Sequence, residues 1–194
     1  IELQKILDKE IKNNADNKII VFNQYRDNAV DIVEKLNTID NVNAKLFVGQ
    51  LKKGDTGLTQ KEQKAVLDEF REGKFNVLVA TSIAEQGLDI PHVDTVIFYE
   101  PIPSAIRQIQ RRGRTGRHGK GRVIVLMAKN TLDVGYRWSA HHKEKRMYRN
   151  LENLKKKLTL FLNTPDEKIT NYVKEDKIKI FVDYREKGSG PIKE

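Results

Sequence analysis

The chain has 194 residues, 38% hydrophobic and 32% charged, and 36 lysines and arginines against 27 carboxylates leave it at +9. That is enough for one good-sized core or two small domains, and no run of about 18 apolar residues exists to span a membrane. No secretory leader is visible, and the absence of cysteine excludes disulfides, thiolate zinc and a cysteine nucleophile, in keeping with a cytoplasmic setting. The charge favours a polyanionic partner, nucleic acid foremost.

Short β-branched runs alternate with amphipathic helices along the chain. "NKIIVFN" (17–23) predicts a buried strand, and "YRDNAVDIVEKL" a helix on which Val30, Val33 and Leu36 recur at helical spacing. "AKLFV" (44–48) predicts a strand, and "GQLKKGDTGL" a loop. Thr59 and Glu62 form a capping box for the helix "QKEQKAVLDEFREG", which Gly73 ends. "FNVLVAT" (75–81), "DTVIFYE" (94–100) and "GRVIVLMA" (121–128) predict three more strands, with a short helix starting at Ser104 between the last two. Strands alternating with helices imply a doubly wound, parallel α/β sheet with helices on both faces. Ligands of such sheets gather at the carboxyl ends of the strands, where "TSIAEQGLDIP" and "RRGRTGR" could share one rim.

From about residue 130 the chain becomes a long basic helical extension without strand signal. Thr164-Pro165-Asp166-Glu167 resembles a helix start with proline at the first helical position, and "KIKIFVDY" (177–184) predicts a strand that nothing downstream accompanies. The chain opens on Ile1 rather than methionine, which suggests a piece of something longer.

Chemistry concentrates in "QIQRRGRTGRHGKGR" (108–122). Glycines let the backbone turn tightly, and guanidiniums on such a turn can grip phosphoryl oxygens with forked hydrogen bonds. Three readings compete on composition alone: a solvated basic loop, a nucleic-acid contact, and an arginine supplied to a transferring phosphoryl group.

"QRRGRTGR" (110–117) resembles motif VI of superfamily 2 helicases, "VLVATSIAEQGLDIP" (77–91) their motif V, and "IIVFNQYRDNA" (19–29) their motif IV, in the family's order. Within that superfamily the chain is most similar to the archaeal Hef and FANCM branch, which acts on branched or fork-structured DNA. The resemblance covers residues 1–150 and implies a second RecA-like domain. That domain would supply Arg114 and Arg117 to the γ-phosphate of ATP, with Gln110, Gly87 and Asp89 at the same cleft. Thr81 and Ser82, with Asn23, Gln24, Tyr25 and Arg26 of motif IV, would hold a single strand through its phosphates; relatives often carry threonine at the position of Asn23. Gln60, with Lys61 and Lys64, starts a helix where backbone N–H groups favour an anion, although the lysines equally suit a solvated face.

Tyr136 and Trp138 could stack on bases, but packing onto the sheet is the expectation; His118, His141 and His142 read as surface residues rather than metal ligands. After a helical linker (151–176), "FVDYREKGS" resembles the opening of an XPF-type nuclease domain (177–194). In that resemblance Asp183 and Glu186 match two metal-binding carboxylates whose companions are missing, so no metal is expected here.

The chain has no G-x-x-x-x-G-K-[ST] phosphate loop and no D-E-x-[DH] motif. The resemblance therefore implies that ATP and Mg²⁺ are held mainly by a first RecA-like domain of the same protein, that this chain alone is inactive, and that DNA, single-stranded or branched, is the substrate. An RNA helicase domain of the same superfamily and a non-catalytic nucleic-acid-binding module are the alternatives.

Overall fold

The computed structural model describes residues 2–49, 57–81, 90–116, 121–162 and 178–185, giving only the backbone for 158–162 and 178–185. Five runs of apolar, largely β-branched sequence form the parallel strands β1 (Ile19–Phe22), β2 (Ala44–Phe47), β3 (Val77–Ala80), β4 (Thr95–Phe98) and β5 (Gly121–Ala128). A sixth strand, β6 (Ile178–Arg185), lies parallel to β5, so the tail strand does find a neighbour, upstream of it in the chain. The sheet order is β2-β3-β1-β4-β5-β6. β1, β3 and β4 are buried along their whole length, as strands covered on both faces must be.

Helices α1 (Glu2–Asn13) and α2 (Arg26–Leu36) cover one face; Leu3, Leu7, Ile11, Ala29, Ile32 and Leu36 meet Ile19, Val21, Val79 and Ile97 there. α2 is thus rotated from the expected phase: Ala29 and Ile32 are buried, and Val30 is only partly so. α1 was not anticipated at all. On the other face α3 (Gln60–Arg71) sets Leu67 and Phe70 against Phe47, Phe75 and Leu78. Thr59 and Glu62 form the expected capping box, and Gly73, at φ 75°, ends the helix in the left-handed region that favours glycine. α4 (Ala105–Arg112) is capped by Ser104, which accepts from the Arg107 N–H at 3.4 Å.

The basic extension is one helix, α5 (Leu132–Leu162), which buries Ala140, contacts α4 and β5, and is joined to α4 by an Arg112–Glu144 ion pair of 2.5 Å. Tyr136 and Trp138 do not pack onto the sheet; they are 40% and 58% exposed. Thr164 to Glu167 lie outside the described residues. Among the described residues, no helix is long and apolar enough to cross a membrane.

Candidate functional site

The strands all run in one direction, so the sheet has a carboxyl-end edge and an amino-end edge, and sequence motifs collect on both. At the carboxyl ends, Thr81 N–H donates to Phe47 O (3.1 Å), Asn23 N–H to Ala80 O (2.9 Å) and Tyr99 N–H to Phe22 O (2.9 Å). These bonds line up Thr81, Asn23 and Tyr99 side by side. The chain leaves β1 toward β2 and leaves β4 toward β5, so the β1/β4 pair is where the winding reverses. Gln24 N–H donates to the Glu100 carboxylate across this point.

The residues of this rim differ in access. Gln24 and Tyr25 are exposed, Tyr25 by 60%, and Arg26 is half-buried at the start of α2. Asn23 and Thr81 stand behind them, wholly or almost wholly buried. Asn23 Oδ1 accepts from Tyr25 N–H at 2.7 Å, which shapes the turn presenting the two exposed side chains, while Asn23 Nδ2 is buried without a partner among the described residues. Gln60 is exposed at the first turn of α3, which buried Gln63 fastens to the rim by donating to Val48 O and Leu58 O, each at 3.1 Å. Lys61 and Lys64 face solvent.

The arginine turn lies at the opposite edge. The eight residues of α4 carry the chain back across the sheet, about 12 Å of helix alongside about 13 Å of four-residue strand. Arg114 O accepts from Val93 N–H (3.0 Å), Thr115 pairs with Val93 and its hydroxyl donates to Asp94 O (2.9 Å), and Asp94 O also accepts from Arg122 N–H (2.9 Å). Asp94 and Arg122 lie at the amino ends of β4 and β5, so the single-rim expectation does not hold for Arg114 and Thr81, the described start of TSIAEQGLDIP. Gly121 is required here: a Cβ on it would meet Thr115 Oγ1 at 2.3 Å and Gly116 N at 2.5 Å.

The arginines of the block then separate by what they touch. Arg111 is buried with its guanidinium 4.7 Å from the centre of the Phe22 ring. Arg112 binds Glu144, and Arg122 binds Glu10, a buried carboxylate of α1 that also accepts from Thr95 Oγ1 at 3.3 Å. These three roles are structural. Arg114, half-buried, has its backbone fixed and no partner for its guanidinium among the described residues. Gln110 is exposed on the last turn of α4, four residues before Arg114 in the chain. Arg117, Gly87, Asp89, Ser82, His118 and Glu186 lie outside the described residues, and of Asp183 only the backbone is described, opposite Leu126.

Glu10, the partner of Arg122, was missed from sequence. A carboxylate inside the apolar stripe of α1 was its one signal. No group of three or more His, Asp or Glu that could hold a metal occurs among the described residues.

A parallel sheet wound in this order, with helices on both faces, is the RecA-like fold of helicase C-terminal domains, which solved DEAD-box proteins share at low identity. The model of the helicase conserved C-terminal domain matches residues 2–119, and the chain belongs to that family. It is similar to MJ1505 of Methanocaldococcus jannaschii, an ATP-dependent RNA helicase by name, with 46% identity over 157 residues, 79% of this chain and 20% of that protein. It is also similar to the ATP-dependent DNA helicase MPH1 of Pyricularia oryzae, with 45% identity over 130 residues, 66% of this chain and 12% of that protein. The crystal structure of the Pyrococcus furiosus Hef helicase domain superposes with a TM-score of 0.59 and 56% identity, over 72% of this chain and 28% of that one. The chain thus spans a fifth or less of the length of these two curated relatives.

Proposed function

We propose that the chain is the C-terminal motor domain of an ATP-dependent DNA helicase or translocase acting on branched or fork-structured DNA. One observation carries the reading: of the described arginines in the block, Arg111, Arg112 and Arg122 are engaged internally, whereas the Arg114 guanidinium, on a turn pinned to the sheet, is engaged by no other described residue. A side chain held in that way is available to a phosphoryl group at no cost in internal contacts. The donor set fits a triphosphate: a guanidinium, the Gln110 amide at the end of the helix before it, and glycines that bring the backbone close. When bound, ATP supplies the phosphoanhydride whose hydrolysis drives the cycle. Arg114 and Arg117 would neutralise charge on the transferring group, with Gly87 and Asp89 near the ribose. The phosphate loop and the Mg²⁺ ligands would come from a first RecA-like domain.

The opposite rim suits a strand of nucleic acid held by its backbone. Gln24, Tyr25 and Gln60 would reach it directly; Asn23 and Thr81 would shape the rim from beneath, with Ser82 and Arg26 beside them. Opposite edges for phosphate and strand mean that closure of two domains on ATP can shift the strand without the two ligands competing for side chains.

The test is Arg114→Ala in a protein containing both RecA-like domains. ATP turnover should fall by a factor of about 10³–10⁵ while single-strand affinity stays within about twofold. Loss of DNA binding with turnover intact would make Arg114 a nucleic-acid ligand instead. Forked DNA should stimulate hydrolysis more than RNA of the same length; the reverse ranking would favour an RNA substrate. For the tail, we propose that Asp183 and Glu186 belong to a nuclease-type activity; Asp183→Ala should then reduce metal-dependent cleavage of branched DNA and spare ATP turnover. The pairing of β6 with β5 supports the other reading, an edge strand of the helicase sheet, in which cleavage is unaffected.

A further inference from the structure

One surface is used neither by the sheet edges nor by the packing of the domain. α5 holds eight lysines and arginines against three carboxylates, one of which, Glu144, is taken by Arg112. Its inner face is anchored by Ala140 and Glu144, and from Tyr148 to Leu154 every residue is exposed. The charges are not spread evenly around it. Trp138, His142, Lys145, Arg149 and Lys156 follow one another at intervals of four, three, four and seven residues, which places them in one line along the helix. All five are exposed, and Lys145, Arg149 and Lys156 form no salt bridge with a described residue. One carboxylate, Glu152, stands in the line itself, three residues after Arg149 and four before Lys156.

At the head of the line stands an indole that is 58% exposed. Its neighbours are His141, edge-on, and His142, tilted by 30°, with both ring centres 6.1 Å away, too far for either to cover its face. An uncovered aromatic face followed by a row of cations, about 27 Å from the indole to the last lysine, has the components of a single-strand track, in which bases stack on rings and phosphates meet basic side chains. Burial of an apolar protein segment is less suited to this line, since Trp138 is its only apolar member; the exposed Leu151 and Leu154 lie on another side of the helix.

We propose that this outer face of α5 binds single-stranded nucleic acid, with Trp138 stacking on a base and Lys145, Arg149 and Lys156 pairing with successive phosphates. The site is separate from the rim at Gln24 and Tyr25, and either can fail without the other.

Trp138 is the single tryptophan of the chain, so indole fluorescence reports on this site alone. Titration of the chain with an end-labelled deoxythymidine oligomer should quench the indole saturably, in parallel with the rise in anisotropy of the label. Replacing the three cations together (Lys145→Gln, Arg149→Gln, Lys156→Gln) should lower affinity about tenfold and reduce the salt slope by about 2, at about 0.7 per single-strand phosphate contact. Trp138→Leu should weaken binding about tenfold while leaving the salt slope unchanged, since stacking is not electrostatic. Tyr25→Ala should leave the quench in place whatever it does to affinity, which separates failure of the rim from failure of α5. The proposal is overturned if the oligomer binds without changing the indole signal, if it does not bind at all, or if the triple variant binds as tightly as the native chain. Self-association or capture of a protein partner altered by the triple variant, with oligomer binding unmoved, would equally overturn it and make α5 a protein interface.

Discussion

The two edges of the sheet are built in opposite ways. At the amino edge, Val93, Asp94, Arg114 and Arg122 share backbone bonds of 2.9–3.0 Å, the Thr115 hydroxyl donates to Asp94 O at 2.9 Å, and Gly121 leaves no room even for a methyl group. At the carboxyl edge a buried amide of Asn23 has no partner among the described residues, and Gln24 and Tyr25 stand in solvent. A group that must meet developing charge at a fixed place gains from a rigid mount, because misplacement lowers its electrostatic effect. A rim that grips strands of any sequence gains from side chains that can adjust.

The largest effect should come from putting a methyl group into the rigid edge. Gly121→Ala brings carbon against the backbone of Gly116, which cannot swing away, and the cost should reach the upper end of the overpacking range, about 3 kcal/mol, read as a fall in the denaturation midpoint. A variant as stable as the native chain would mean that the turn is looser than the contacts imply. Thr115→Val removes one buried hydroxyl bond but leaves Asp94 O accepting from Arg122 N–H, so the loss should be about 1 kcal/mol.

At the open edge, Asn23→Ala gives up the bond to Tyr25 N–H and also removes the orphaned amide. The two changes oppose each other, and stability should stay within about 1 kcal/mol of native while the rim turn loosens. Destabilisation well beyond Thr115→Val would show the two edges to be equally rigid. The smallest effect is a control for surface charge. Lys45 donates to Glu69 at 2.6 Å and holds that carboxyl below its ordinary value of 4.5. A lowered folded-state value means that the pair's contribution is present above the unfolded value and is lost as pH falls through the folded one. Lys45→Ala should raise the Glu69 midpoint in an NMR titration and flatten the acid end of the stability profile, leaving stability at neutral pH nearly unchanged.

Local chemistry was the legible part of this fold. Thr59 with Glu62, Ser104 and Gly73 mark helix ends because capping is decided within a few residues. The long strand β5 is bounded where its apolar run is bounded. What escaped depends on partners distant in sequence. α1 shows Leu3, Leu7 and Ile11 four residues apart, but Glu10 interrupts the stripe until Arg122, 112 positions later, is brought to it. The phase of α2 was misjudged because valines at 30 and 33 outweigh an alanine on paper, although the small side chain of Ala29 permits the closest approach to the sheet. The sorting of arginines into structural and available ones could not be read from QRRGRTGR, since each is settled by a ring or carboxylate on another element. That α4 is as long as the strands are tall was visible, and the separation of the edges could have been drawn from it.

The contact of Glu10 with Arg122 ties the first helix to the fifth strand by charge as well as by oil-like packing, while residues 14–18, which join α1 to β1 in the chain, contribute little to the core. Connectivity and cohesion are therefore carried by different parts of the molecule at this point. A protease that severed the connection would cut the backbone without dividing the domain: the twelve-residue helix would remain seated as a bound peptide, held by Leu3, Leu7 and Ile11, and the domain would persist as a two-piece complex.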